Sequence, residues 1–344
     1  MNLKELAAEL GLSQTTVSRA LNGYPEVSEA TRERVEAAAR RHNYFPNARA
    51  RSLATGRTHA IGHVLPGSTK HEILNPIFGD FIAGASEEYS RAGYELMLSV
   101  VRDEDEANAY RELVAKGTVD GIIVHSPKEN DERIPLLKDI GIPFVVHGRS
   151  TEADTDYSWV DVNSRRAFHQ ATRLLLDLGH RRIGLVNGLE TGDFAIRRRD
   201  GYLSALEEAG VARDGDLMTS SEMTETHGHE AACAMLNLPS PATAFICSSM
   251  IMAIGVRRAI HDKGLEMGRD VSVITYDDDL AYLRNGTTAP IFTAIRSSVR
   301  TAGRQAAEIL TSHIADPSLP PQHRLLEAEL LLGDSTGPLR GQET

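Results

Sequence analysis

Two short helix-forming segments separated by a glycine occupy residues 1–22, and this pattern constrains the amino-terminal fold more than any other stretch. Leu3, Leu6 and Leu10 recur at the spacing of one face of a helix. Gly11 stands where a left-handed residue can end that helix. Ser13 can cap a second helix, because its side-chain oxygen accepts from an amide of the first turn. The sequence therefore predicts two helices joined by a tight turn.

The second of these segments has one apolar and one polar side. Val17, Ala20 and Leu21 form the apolar stripe. The outward side chains are short and polar, as in helices that lie in the major groove of DNA and reach base edges or phosphates. They are Gln14, Thr15, Ser18 and Arg19. The pattern predicts a helix-turn-helix, although any two short helices joined by a glycine turn would share part of it.

A third helix and a basic segment follow. Ser28 begins a helix with arginines on its polar side, which completes a three-helix head at residues 1–45. Pro46 ends that helix and can precede a short new one within residues 46–58. Residues 43–57 contain three arginines and no acidic residue, and they are too few to bury a core alone. We therefore expect this hinge to be ordered by a partner, of which double-stranded DNA is the obvious one.

The distribution of charge agrees with that partner. The whole chain carries a net charge of −11, but residues 1–60 hold nine Lys and Arg against six Asp and Glu. Residues 1–60 therefore carry a net charge of +3 and the remainder −14. An acidic body discourages nonspecific contact with DNA away from the head.

Residues 59–344 alternate between short β-rich runs and helix-period segments, which is typical of parallel sheets covered by helices on both faces. The predicted strands are 61–65, 95–101, 121–125, 144–147, 183–187, 244–247 and 271–276. Alternation of this length favours two doubly wound lobes over one. Two cysteines in so long a chain are expected to be reduced thiols. The sequence shows neither an apolar run of membrane-spanning length nor a secretory segment, so we expect a cytoplasmic, nucleoid-associated protein.

Several strings beyond the head carry a family resemblance along nearly the whole chain. They are Ile61-Gly62, Asn75 to Phe78, Val119 to Val124, Leu178 to Ile183, Arg198 to Tyr202 and Val271 to Asp278. In this order they resemble the lactose-repressor (LacI) family of bacterial transcription regulators. The resemblance implies an all-α head and hinge helix followed by a two-lobed body like that of periplasmic binding proteins. It further implies a homodimer.

The resemblance also implies where the chain passes between the lobes. The expected crossings lie near Asp156, Pro290 and Pro320. The first lobe would then comprise residues 59–156 and 290–319, and the second lobe residues 157–289 and 320–344. A ligand would bind between them, at the carboxyl ends of the strands, as open α/β sheets generally prefer.

For DNA, the resemblance assigns contacts to the head and the hinge. Gln14 and Thr15 would face bases, and Arg19 a base edge or a phosphate. Four further head residues would fix register through the DNA backbone: Ser13, Thr16, Ser18 and Asn22. In the hinge, Asn47, Ala50 and Leu53 would enter the minor groove, with Leu53 as the apolar wedge. Leu53 would also serve as an ordinary contact between paired hinges, and the two roles are compatible.

For the ligand, a sugar suits carboxylate and guanidinium partners together with an aromatic face. Arg198 occupies the position of the family's ligand-binding arginine, and Asp277 that of the aspartate after the penultimate strand. Each residue has an alternative role: Arg198 would belong to a solvent-exposed arginine face, and Asp277 would cap a helix. Phe78 and Tyr282 are the predicted aromatic contacts.

The chain departs from the family pattern at three places in this predicted site. Ser249 stands where the family often has asparagine, and Asn163 where it often has aspartate, so both are expected to offer uncharged contacts. The segment 66–74 is longer than many members carry and predicts a loop over the cleft, with His71 and Glu72 as possible ligand contacts. A mobile surface loop is an equal alternative.

Other functional classes receive little support from the sequence. The tight pair His227 and His229 lacks further ligands at metal spacing, and neither a phosphate-binding glycine loop nor a nucleophile motif is present. We expect no cofactor, no metal and no enzymatic activity. The predicted function is a repressor of carbohydrate genes released by a small sugar, with a disaccharide favoured by resemblance to α-glucoside regulators. The alternative is a regulator that responds to a phosphorylated sugar or a purine, with activator or corepressor-dependent behaviour.

Overall fold

A computed structural model describes residues 1–44, 56–66, 76–151 and 156–340. Five of the predicted contact residues lie outside these ranges: Asn47, Ala50, Leu53, His71 and Glu72. Most of the predicted hinge, residues 46–58, lies outside them as well.

The head consists of three helices, α1 (Leu3–Leu10), α2 (Gln14–Leu21) and α3 (Glu29–Arg41). The predicted caps are confirmed: Gly11 is left-handed with φ 63°, and Ser13 Oγ accepts from Thr16 N at 3.0 Å. Ser28 caps α3 in the same way. Apolar side chains of all three helices meet in one small core, at whose centre Leu6, Val17 and Val35 are fully buried.

The first sheet of the body has six parallel strands in the order β11-β5-β4-β3-β1-β2. These strands are β1 (Ala60–Pro66), β2 (Glu95–Val101), β3 (Gly121–His125), β4 (Phe144–His147), β5 (Ser158–Val162) and β11 (His323–Leu326). Strand β3 is buried along its whole length, as expected of a strand covered on both faces.

The second sheet has the order β12-β10-β9-β8-β6-β7. Its strands are β6 (Ile183–Asn187), β7 (Met218–Ser220), β8 (Ala244–Cys247), β9 (Ser272–Asp277), β10 (Thr293–Arg296) and β12 (Glu329–Leu331). All neighbours are parallel except β12, which runs antiparallel to β10. Two doubly wound sheets confirm the predicted fold class.

Helices cover both sheets. The first sheet carries α4 (Pro76–Ala92), α5 (Glu106–Ala115), α6 (Arg133–Ile140) and α11 (Val299–Ala315). The second carries α7 (Ser164–Asp177), α8 (Asp193–Glu208), α9 (Glu225–Leu236) and α10 (Met250–Asp262). Short 3₁₀ turns occupy Asp103–Asp105 and Gly215–Leu217. Within the described ranges, no helix combines the length and apolarity needed to cross a membrane.

Glycines allow some of these helices to approach each other at backbone distance. A Cβ at Gly84 in α4 would lie 2.0 Å from Arg300 O in α11, and one at Gly303 in α11 would lie 2.1 Å from Phe81 O in α4. Gly201 in α8 is pressed against Arg165 O of α7 in the same way, at 2.1 Å. Any larger residue at these positions would force the helix pair apart.

The chain passes between the lobes later than the sequence predicted. The expected crossings near Asp156, Pro290 and Pro320 each precede a strand, β5, β10 or β11, that still pairs with the sheet the chain is leaving. The observed crossings therefore follow residues 162, 296 and 326. Proline and loop residues mark where a strand begins, whereas the sheet that the strand joins is decided by its tertiary partners.

Candidate effector cavity and nucleic-acid interface

The outer surface of α2 presents a small polar patch. Gln14, Thr15 and Arg19 are exposed, as a helix that contacts DNA requires. Three further predicted contacts are partly buried and bonded locally: Thr16 Oγ1 lies 2.8 Å from Ser13 Oγ, and Asn22 Nδ2 donates to the carbonyl of Ser18 at 2.9 Å. These bonds involve Ser13, Thr16, Ser18 and Asn22 and leave the side chains of Gln14, Thr15 and Arg19 exposed.

A cavity of about 790 Å³ lies between the two lobes. The first lobe contributes the carboxyl ends of its strands, including His125 of β3, His147 of β4 and Asp161 of β5. The second lobe contributes Arg198 of α8 and Tyr276 of β9. The volume and position are those of a small-molecule site in open α/β sheets.

Arg198 is the central cation of this cavity. It is buried, and its guanidinium carbon lies 4.2 Å from the ring centroid of Tyr276, 4.9 Å from that of Phe194 and 5.3 Å from that of Phe168. It donates one hydrogen bond to the carbonyl of Ser248 at 2.8 Å, while its Nε has no protein partner within the described residues. The exposed arginine face considered from sequence is therefore wrong, since the cation lies in an aromatic cage and retains an unused donor.

The carboxyl group beside Arg198 is that of Asp278. Asp278 lines the cavity, whereas the predicted Asp277 does not and instead accepts a hydrogen bond from Asp279 N at 2.9 Å. Burial raises the pKa of Asp278 to about 7, against the opposing effect of the Arg198 charge. The prediction is displaced by one residue because successive side chains at the end of a strand point to opposite faces.

The lobes are joined at this cavity by charged groups. Arg197 of α8 donates to both oxygens of Asp161 in the first lobe, at 2.7 and 3.1 Å. Arg149 Nε lies 3.0 Å from the same carboxylate. Thr151 Oγ1 of the first lobe donates to the Asp193 carboxylate at the start of α8, at 2.8 Å. Asp161 is therefore shared by two arginines from different lobes.

A second arginine cluster lies on the first-lobe side. Arg133 lines the cavity and donates to Asp131 at 2.7 Å, to Glu106 at 3.0 Å and to the carbonyl of His125 at 3.0 Å. Hydrogen bonds from Arg133 hold the pKa of Asp131 below its ordinary value although burial acts to raise it. The hydrogen-bond donors of Arg133 are therefore used by groups of the protein, and Arg133 positions Glu106 and the end of β3.

Of the other predicted ligand contacts, Phe78 lines the cavity and three residues do not. Asn163 caps α7 and donates to Glu327 at 3.1 Å, so its neighbour Ser164 faces the cavity. Ser249 caps α10, and it is Ile251 that reaches the cavity. Tyr282 is 68% exposed on the outer surface. These three residues do not line the cavity, because Asn163 and Ser249 cap helix ends and Tyr282 lies largely in solvent.

A histidine cluster that the sequence reasoning missed lies beside the cavity, and two of its members, His125 and His147, line the cavity. His63 Nδ1 lies 2.8 Å from His125 Nε2, and His63 Nε2 lies 2.9 Å from Tyr89 Oη. The ring centroid of His147 lies 4.3 Å from that of Phe81, with the two rings tilted by 31°. Burial lowers the pKa of His63 to about 3 and that of His147 to about 4, and it lowers the pKa of His125 well below its ordinary value. The available signal was one histidine in each of three predicted strands that become neighbours in the sheet.

These histidines are not arranged to share a metal ion, since His63 and His125 use facing nitrogens on each other. Elsewhere in the described part of the chain, no group of three His, Cys, Asp or Glu side chains could hold one. His227 and His229 point to separate partners, Thr219 and Asp262.

Both the head and the body of the chain match known protein families. Residues 2–47 match bacterial regulatory proteins of the lacI family, and residues 172–336 match a periplasmic binding protein-like domain. The transcriptional regulator AglR of Rhizobium meliloti (strain 1021) is 45% identical over 98% of this chain and 95% of its own length. A complex of the transcriptional regulator CelR with cellobiose has 27% identity and TM-score 0.72, covering 97% of this chain and 99% of that one. The lac repressor dimer bound to operator has the same fold, with 24% identity and TM-score 0.83 over 98% and 99% of the two chains.

Proposed function

This chain belongs to the lacI family of bacterial regulatory proteins, and we propose that it is a repressor of carbohydrate genes that an uncharged disaccharide releases from its operator. As a member of this family it is a DNA-binding transcription regulator. The observation that carries the choice of ligand is the pairing of the arginines in the cavity. Arg197 and Arg133 are both occupied by carboxylates of the protein.

The groups left for a ligand suit hydroxyls. Arg198 lines the cavity and forms no salt bridge among the described residues, and Asp278, with its pKa raised to about 7, exists near neutral pH both as an acceptor and as a donor. Each hydroxyl of a sugar donates and accepts at once, so such a pair can serve it fully. Phe78 and Phe194 supply apolar surface for the C–H face of a sugar ring. The cellobiose bound by the related CelR supports a disaccharide here.

A phosphorylated sugar is less suited to this cavity. Binding its two negative charges would require arginines that are free of acidic partners. Arg199 is also occupied, since it lies 2.7 Å from Glu190 and 3.1 Å from Asp200. The pairing of Arg197 and Arg133 with acids gives no comparable support to a purine ligand.

For DNA, we propose that Gln14, Thr15 and Arg19 read bases while Ser13, Thr16, Ser18 and Asn22 contact the backbone. Leu53 would act as the minor-groove wedge, an insertion that costs a few kcal/mol of unstacking and is offset by the contacts it permits. Leu53→Ala is then expected to weaken operator binding far more than binding to random DNA at the same salt concentration. Equal losses on the two DNAs would exclude the wedge.

Pairing of two copies would place two heads on the two half-sites of a pseudo-palindromic operator. Strand β2 forms the edge of the first sheet and exposes alternate apolar side chains, Leu96 at 38%, Leu98 at 40% and Val100 at 52%. Such an uncovered apolar stripe on an edge strand is typical of an interface between subunits. We assign it to the homodimer.

The first lobe is attached to the segment that leads to the head. Asp120 accepts from Thr58 N at 2.7 Å, from Thr58 Oγ1 at 2.8 Å and from His59 N at 2.8 Å. Arg57 donates to the carbonyl of Ile314 at 3.1 Å. The first lobe is therefore bonded directly to residues 57–59, which lead to the segment before it. A ligand that favours one arrangement of the lobes would separate the paired hinges, to the extent of its differential affinity for the two states.

A two-stage experiment tests this function. A thermal-shift screen of maltose, sucrose, trehalose and cellobiose, with glucose 6-phosphate and hypoxanthine as rivals, identifies a binder by its stabilisation of the folded chain. Fluorescence anisotropy on operator DNA then measures release. We expect a disaccharide to raise the melting temperature and release DNA. Stabilisation by glucose 6-phosphate or hypoxanthine alone would contradict the proposal.

A further inference from the structure

The first lobe contains a buried hydrogen-bonded chain, Tyr89–His63–His125, that leads from the core to the cavity. Tyr89 lies in α4, His63 in β1 and His125 at the end of β3. Tyr89 and His63 are buried, while His125 lines the cavity. The two links measure 2.9 and 2.8 Å, which is the distance of ordinary hydrogen bonds. We call these three residues the histidine relay.

Counting hydrogens assigns a direction to the relay. A neutral imidazole carries one N–H, so each ring donates from one nitrogen and accepts at the other. Within the described residues, Tyr89 Oη has no hydrogen-bond partner besides His63 Nε2. If His63 donated to Tyr89, the buried phenol hydrogen would lose its acceptor, which is costly. Tyr89 therefore donates to His63 Nε2, and His63 donates from Nδ1 to His125 Nε2.

The histidines are neutral because their surroundings disfavour a charge. Burial is the largest cause and lowers the pKa of His63 to about 3 and that of His125 well below its ordinary value. The charged form of His125 would also face Arg133, besides the neighbouring His147. A single hydrogen on each ring therefore persists through the physiological pH range.

We propose that Tyr89 and His63 are positioning residues that hold His125 with its hydrogen on Nδ1, so that His125 presents an N–H donor to an acceptor oxygen of the bound sugar. This inference rests on the proposed function for the identity of the ligand. Within the described chain, Nδ1 of His125 has no hydrogen-bond partner and is not among the side-chain atoms sealed from solvent. Phe78 and Phe81 pack edge-on at 5.2 and 4.9 Å and hold the ring plane.

A fixed donor at this position contributes to specificity. Asp161, Glu106 and Asp278 bring acceptor oxygens to the same cavity, so a sugar hydroxyl can donate to one of them and accept from His125. A ligand with an ammonium group at that point would meet a second donor and would be rejected. Without the relay, His125 would exchange between two tautomers, and part of the population would present an acceptor instead.

The direct test is the tautomer of the unliganded full-length protein. Histidine labelled with ¹⁵N distinguishes Nδ1–H from Nε2–H by its ¹⁵N shifts and by the couplings of the ring nitrogens to the carbon-bound hydrogens. At pH 7 we expect two histidines, those of the relay, to carry hydrogen on Nδ1 and to remain neutral at pH 5. Hydrogen on Nε2 in both, or protonation of either at pH 5, would overturn the inference.

Tyr89→Phe removes the donor of the relay and keeps the ring. We expect Nε2–H signals to arise for His63 and His125, and the affinity for the most tightly bound of maltose, sucrose, trehalose and cellobiose to fall about three- to tenfold, the effect of one neutral hydrogen bond. Tyr202→Phe is the matched control, since it loses an equally buried hydroxyl bond, 2.8 Å to the carbonyl of Ile183, in the other lobe. We expect this control to lose stability, while the histidine tautomers and the affinity for the saccharide stay unchanged.

The outcomes separate the relay from the proposed function. Unchanged tautomers and affinity in Tyr89→Phe would refute the relay while the sugar still bound. If the wild-type protein bound none of the four saccharides, the disaccharide proposal and the contact from His125 would both be wrong, and the ¹⁵N measurement would still decide whether Tyr89 and His63 set the tautomer.

Discussion

Replacing Arg198 by methionine tests whether the caged cation is the main ligand contact. Methionine keeps the apolar length that packs on Phe168, Phe194 and Tyr276, so most of the packing is retained, whereas the buried Asp278 loses its neighbouring cation and the fold is expected to lose some stability. The lost interactions are the donors at the cavity. A hydrogen bond from a charged donor contributes about 1.5–3 kcal/mol, so the affinity for the sugar should fall roughly 10- to 150-fold.

The assay pairs isothermal titration calorimetry with the sugar found by screening and operator anisotropy at one salt concentration. Arg199→Met is the matched control on the same helix, because Arg199 pairs with Glu190 and Asp200 and does not line the cavity. We expect R198M to bind operator like the wild type and to need a much higher sugar concentration for release. Release at the wild-type concentration would refute the assignment of Arg198 to the ligand.

Three further predictions concern packing, pH and assembly. Gly201→Ala brings a Cβ to 2.1 Å from a backbone oxygen of α7 and should lower the free energy of unfolding by about 3 kcal/mol in urea titrations. Gly215→Ala, with nothing within 4 Å, should change it little, and equal effects would contradict the packing argument. Burial lowers the pKa of His63 to about 3 and that of His147 to about 4 in the folded chain, against about 6.5 in the unfolded chain. The contribution of these two histidines to the free energy of unfolding is therefore complete above about pH 6.5, and it is lost as the pH falls towards their folded pKa values. His147→Gln should therefore reduce the slope of stability against pH between 6 and 5, by up to about 1.4 kcal/mol per unit, and an unchanged slope would mean that His147 titrates normally. Leu98→Lys places a charge on the β2 stripe and should convert the dimer to monomers in sedimentation experiments, whereas an intact dimer would exclude that surface.

Local patterns in the sequence were sufficient for the head and for the presence of the strands. Gly11, Ser13 and Ser28 act within one turn of the chain, so their roles depend on neighbours that the sequence already shows. The alternation of the body predicted two parallel sheets for the same reason. The three crossings were each placed one strand too early, because the edge at which a strand pairs is a long-range choice.

The candidate site was less predictable from the sequence, since it gathers residues that are distant in the chain. Arg198 was found, but whether it binds a ligand or faces solvent depended on the aromatic cage around it. Asp278 was missed in favour of Asp277 because one position along a strand reverses the face. Asn163 and Ser249 were predicted as ligand contacts because they are polar, but their side chains accept hydrogen bonds from the backbone at helix ends.

The sequence by itself determined that this chain has a DNA-binding head, a basic segment after it and a two-lobed α/β body, because periodicity, caps and charge are local properties. The tertiary structure decided what the cavity can bind. It paired Arg197 and Arg133 with acids and left Arg198 at the cavity without a salt bridge among the described residues. It also brought His63 within 2.8 Å of His125. These contacts depend on which strands and helices become neighbours, and that is set by packing over the whole chain.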